Sequence, residues 1–130
     1  MITNISRITL FVNDQQKAKD FWVKQMGFHV VEEQPMEQGK WLEVAPPDSA
    51  VRFVLYEKEL MKKQNPQAIT THPSLILSAL HLGNTRKILK ERNVEIEEII
   101  TMPYGSMCTF YDPDGNAYLL REDKNREVQK

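Results

Sequence analysis

The sequence predicts an α+β fold of two tandem βαβββ modules forming a curved mixed sheet with helices on its convex face. Three observations carry this: short runs of strict apolar alternation, two stretches with helical periodicity, and a second half that repeats the element order of the first. The first strand is 5–12, where Ile8, Leu10 and Val12 fall on one side and Arg7, Thr9 and Phe11 on the other. Asn13 and Asp14 then offer N-cap chemistry, Ala18, Phe21, Trp22 and Met26 recur at helical spacing, and Gly27 is a C′ stop. Strands at 28–32, 40–44 and 51–56 follow, separated by Pro35, Gly39 and the turn that begins Ala45-Pro46-Pro47-Asp48.

Residues 58–72 read as a polar linker, broken by Asn65 and Pro66, that begins as a helical turn. The second module then has a strand at 74–79, a helix at 85–92 capped by Asn84, and strands at 94–100, 107–111 and 117–121. Asn93 takes the place of Gly27, since Asn tolerates the left-handed conformation better than most residues. Residues 123–130 form a charged, solvated tail with room for one more helical turn. We read 1–130 as one domain, with modules at 1–57 and 73–122. Neither half alone buries enough apolar surface for comfortable stability, whereas a chain of 130 residues hides roughly two-thirds of its unfolded surface.

Composition excludes several classes of function. Net charge is −1 and no long basic run occurs, which argues against general nucleic-acid binding. No apolar run approaches the ~18 residues of a membrane span, and the first residues lack a signal-peptide pattern. The one cysteine, Cys108, cannot form an internal disulfide and sits inside a strand, where it reads as a small core residue. These features suit a cytoplasmic protein.

A sheet covered by helices on its Leu/Val face leaves the opposite face to water, a cavity or a partner. That face carries Arg7, Thr9 and Phe11, then Arg52, Val54 and Tyr56 in the first half, and Ser74, Ile76, Ser78, Ala117, Leu119 and Arg121 in the second. Two such sheets side by side enclose a mixed polar and apolar cleft, the default location of a small-molecule site.

The stretches Arg-Ile-Thr-Leu-Phe-Val-Asn-Asp (7–14), Asp-Phe at 20–21, Gly-Phe at 27–28, Trp-Leu-Glu-Val-Ala-Pro-Pro (41–47) and Phe-Tyr-Asp-Pro-Asp-Gly-Asn (110–116), in this order, resemble the vicinal oxygen chelate superfamily. That superfamily includes glyoxalase I, extradiol dioxygenases, fosfomycin-resistance enzymes and bleomycin-binding proteins. Asp-Pro-Asp-Gly-Asn is also sound as a tight turn by itself, with Pro fixing φ and Gly supplying positive φ.

The resemblance implies a homodimer and a cation site built from a His and a Glu of each half. The matching positions here are Arg7, Arg52, Ser74 and Leu119, and both pairs have the same sequence spacing. None is a metal ligand: arginine stays protonated without a lone pair to donate, and leucine has no donor atom. His72, on the strand face of Ser74, and Glu43 together fall short of a metal's usual donor set. His29 reads as a strand residue and His81 as a loop residue. We expect no metal and no cofactor.

Arg7 and Arg52 admit two compatible readings, an anion clamp for a ligand, or Arg52 paired with Glu43 on an adjacent strand and Arg7 left at a wet rim. Trp41, Tyr56, Phe11 and Tyr104 admit another pair, ligand walls or packing. The expected role is metal-independent binding of a small organic molecule, anionic or aromatic. Its candidate residues are Arg7, Trp41, Glu43, Arg52, Tyr56, Ser74, Tyr104, Leu119 and Arg121. The alternatives are a metal-dependent glyoxalase-type lyase, isomerase or thiol transferase with displaced ligands, and a protein-interaction module.

Overall fold

The computed structural model describes residues 1–124. The chain divides into two compact units, Met1–Pro73 and a second beginning at Ser74. In the first unit the order is β1 (Arg7–Val12), α1 (Gln15–Asp20), β2 (His29–Pro35), β3 (Lys40–Ala45), β4 (Arg52–Glu57) and α2 (Lys58–Gln64). The sheet runs β1-β4-β3-β2, with β1 and β4 parallel and the other pairs antiparallel.

Asp14 caps α1 by accepting from the Lys17 backbone N–H at 3.0 Å. The helix widens into a π-helical turn, Phe21–Gln25, and Gly27 stands at φ 80° just beyond it. The helical stretch buries two consecutive aromatic residues, with Phe21 and Trp22 only 3% and 1% exposed. The Trp22 ring lies 5.1 Å from Phe53 and 4.9 Å from Phe28, so an aromatic knot joins the π-helical turn to the Leu/Val face of the sheet.

The opposite face differs from the expectation. Helix α2 closes over part of it: Leu60 packs with Val54 and Tyr56 in a buried cluster, with Phe11, Met36, Trp41 and Met61 against it. Residues 58–64 therefore form a cover, and β3 and β4 are buried on both faces along much of their length. Gly39 admits this packing. Its φ of 78° favours glycine, and an added Cβ would stand 2.8 Å from Leu60 Cδ2.

The second unit contains β5 (Ile76–Ser78), α3 (Leu82–Glu91), β6 (Glu95–Ile96), β7 (Ile100–Met102), β8 (Gly105–Tyr111) and β9 (Ala117–Asp123). Its sheet runs β5-β9-β8-β6, and β7 also pairs with β8. The strand expected at 94–100 is thus two short strands, one facing each end of β8. Helix α3 begins three residues earlier than expected because its cap is not Asn84: Glu122 Oε1 accepts the Leu82 backbone N–H at 2.6 Å, from across the sheet. Asn93 does adopt φ 65°, the counterpart of Gly27.

Strand β9 runs through Asp123, the first residue assigned to the tail, and 125–130 lie outside the described residues. Asp112 organises the β8–β9 turn. Its two oxygens accept from the backbone N–H groups of Asp114 and Asn116, from Asn116 Nδ2, and from the buried Tyr118 hydroxyl at 2.7 Å. The Tyr118 ring stacks on Phe110 at 5.0 Å, and burial followed by the Asp112 bond pushes its hydroxyl well above the usual phenol range. Among the described residues no helix is long and apolar enough to cross a membrane.

Candidate functional site

Strand parity brings four of the sequence-selected residues together in the first unit. Arg7 and Arg52 are direct register partners on the parallel β1–β4 pair, and Glu43 faces Val54 of β4 from β3. From there Glu43 Oε2 accepts from Arg7 Nε at 2.8 Å and from Trp41 Nε1 at 2.7 Å, while Oε1 accepts from Arg52 Nη1 at 3.0 Å. The carboxylate is only 1% exposed; the Arg7 and Arg52 side chains are 43% and 38% exposed. Burial pushes the Glu43 carboxyl up, but the hydrogen bonds from Arg7, Trp41 and Arg52 outweigh it and hold it below the ordinary carboxylate range.

Two cations around one carboxylate leave a local excess of positive charge at a partly exposed edge. Each guanidinium hydrogen-bonds Glu43 through one nitrogen, and its fork of five N–H donors suits bidentate recognition of an oxyanion. A divalent cation does not fit this donor set: its single carboxylate is already engaged by three donors, and two permanent cations stand beside it. Among the described residues no group of three His, Cys, Asp or Glu side chains converges as a metal would require.

Tyr56 is buried, with its ring 6.2 Å from Trp41 and 6.3 Å from Phe11, both edge-on. Its hydroxyl donates to Gln64 Oε1 of α2. Sequence reasoning found these rings but missed Leu60, Met61 and Gln64, which cover them. The available signal was the adjacent Leu60-Met61 pair inside an otherwise polar segment.

The remaining candidates belong to the second unit. Leu119 pairs with Ile76 on β5 rather than with Ser74, two residues earlier, so the equal spacing of the two expected pairs does not correspond to equal strand register. Ser74 is exposed and precedes β5, and Leu119 is half-buried. The Arg121 guanidinium lies 5.0 Å from the Tyr104 ring centroid, and its Nε stands 2.6 Å from Asp123 Oδ1 without hydrogen-bond alignment. His29 opens β2 and His81 precedes α3, both exposed. Cys108 is 2% exposed, and burial pushes its thiol up.

The family model described as Glyoxalase/Bleomycin resistance protein/Dioxygenase superfamily matches residues 4–119. The uncharacterized protein YetH of Bacillus subtilis (strain 168) is 36% identical over 124 residues, covering 94% of this chain and 100% of YetH. TnmS3, an antibiotic binding protein from Streptomyces sp. CB03234, superposes with a TM-score of 0.80 at 31% identity, over 95% of this chain and 98% of its own. A glyoxalase/bleomycin resistance protein from Streptomyces sp. CB03234 gives a TM-score of 0.74 at 31% identity, over 92% of this chain and 100% of its own.

Proposed function

Because the chain belongs to the glyoxalase/bleomycin resistance protein/dioxygenase superfamily, we propose that it works as a binding protein, capturing a small organic molecule with an anionic group and an aromatic body, without a divalent metal. The observation that carries this reading is the Arg7–Glu43–Arg52 cluster, in which partly exposed guanidinium groups surround a saturated carboxylate. Such a cluster attracts an oxyanion and repels a metal ion. The likeness to TnmS3, an antibiotic binding protein, supports small-molecule capture in place of turnover.

In this reading Arg7 and Arg52 receive the anion, Glu43 holds both in place, and Trp41 and Tyr56 contribute aromatic surface. Ser74, Tyr104, Leu119 and Arg121 belong to the second unit, where the Tyr104–Arg121 pair sets a cation against a ring. The protein acts in the cytoplasm, as its single buried cysteine suits, and as a homodimer. Exposed Ile76, Leu80, Ile100 and Met102 supply apolar surface for that assembly.

Calorimetry against nickel, zinc, manganese and ferrous ions tests the reading, together with native mass spectrometry of molecules that copurify. We expect no stoichiometric metal binding and a bound organic anion that Arg52→Met releases. Tight binding of one metal per chain, or chelator-sensitive activity on a hemithioacetal, overturns it.

A further inference from the structure

Helix α2 has the features of a removable cover. It has seven residues, well under the ~12–15 at which an isolated helix becomes even marginal, and its N-cap residue Glu57 makes no side-chain capping bond. Leu60 is its one buried residue, Met61 is half-buried, and Gln64 holds the Tyr56 hydroxyl. Beyond its C-terminal end lies an open crevice of about 490 Å³ lined by Glu37, Gln38, Lys63 and Gln64, so this end is not packed in on every side.

Under the cover lies a floor of three rings from three adjacent strands, Phe11 on β1, Tyr56 on β4 and Trp41 on β3. Phe11 shares a strand face with Arg7 and Tyr56 shares one with Arg52, four residues along, or about 13 Å. Trp41 joins the two ends, since the ring that packs in the floor donates its N–H to Glu43 of the clamp. One continuous strip therefore runs from exposed guanidinium groups to covered aromatic faces.

We infer that α2 occupies the seat of a flat aromatic ligand. The ligand's ring system displaces Leu60 and Met61 from Phe11, Trp41 and Tyr56, while its anionic group reaches Arg7 and Arg52. The anionic half rests on the function proposed above; the displaced helix does not. A rigid ring system suits the floor because aromatic faces and edges replace the aliphatic and thioether contacts in kind. A closed cover lowers apparent affinity by the fraction of molecules that are open, so weakening its latch must tighten binding.

The test uses the full chain, anthracene-2-carboxylate and its uncharged 2-carboxamide. Gln64→Ala removes the acceptor for the Tyr56 hydroxyl and is expected to tighten binding of the carboxylate ~fivefold, the value of one net hydrogen bond. Saturation of the unaltered protein is expected to speed deuterium exchange of the backbone amides at 58–64. Equal affinity in both proteins with unchanged protection of α2 overturns the cover and leaves the anion reading standing. Failure of the carboxylate to bind either protein also overturns the cover. If carboxylate and carboxamide bind alike while Gln64→Ala tightens both, the cover stands and the anion reading falls.

Discussion

Glu43 holds the charge cluster with Arg7 and Arg52 together, and its loss has a calculable signature. Its folded-state pKa is depressed, so the stability it contributes is complete above the ordinary carboxylate range and drains away as the pH falls through the lower folded value. Glu43→Gln is expected to cost about 2 kcal/mol near neutrality, the scale of hydrogen bonds to a charged group. Its penalty should shrink as the pH drops below ~4.5. Urea melts of both proteins across that range check this, and a penalty independent of pH contradicts it. Glu33, also held low by hydrogen bonds from Lys40 and Lys19, titrates in both proteins and cancels from the difference. Strand parity made Arg7 and Arg52 legible from sequence on one face, with Glu43 as a partner for Arg52, whereas Arg7 was read at a wet rim and instead shares the same carboxylate. The Trp41 N–H bond to Glu43 was not, because it depends on one rotamer among those a residue two positions away in a strand can adopt.

At the scale of elements, strands with one apolar face were readable and those with distant partners were not. The alternation of β1 survives as written, whereas β4 is buried on both faces because α2 covers Val54 and Tyr56, and α3 starts early because its first N–H is met by Glu122, 40 positions downstream. No local pattern announces such a cap. Helix α2 was legible only as a helical turn opening a linker, because two apolar side chains in seven residues do not make a period. The β8–β9 pair offers a sharp test. Gly105 stands at φ 155°, and an added Cβ would meet the Glu122 carbonyl oxygen at 2.4 Å, a backbone atom with no rotamer to yield. Gly105→Ala should therefore destabilise the protein by about 2–3 kcal/mol, comparable to other strained backbone sites. Thermal melting checks it, and an unchanged midpoint would show that β9 can shift without loss.

For the whole molecule, the strand-then-helix start of each half was legible, each helix ending at a turn residue of positive φ, Gly27 and Asn93, while the second half carries four strands after its helix where three were expected. The two halves differ where it bears on the site: Arg7 pairs with Arg52, but Leu119 pairs with Ile76 and not with Ser74. Equal spacing in sequence did not reveal the slip, since strand register answers to side-chain packing as well as to chain length. The proposed homodimer is checked at this scale. Ile76→Asp combined with Leu80→Asp is expected to shift sedimentation from two chains to one, and an unaltered dimer would move the interface elsewhere. Finally, Cys108 is 2% exposed, and burial raises its thiol. Maleimide dyes react with exposed thiolates, so the native chain is a nearly silent background for fluorophore attachment. A cysteine introduced at an exposed residue of α2, such as Lys63, would accept a dye almost alone, letting the helix's position be followed by energy transfer in the intact protein.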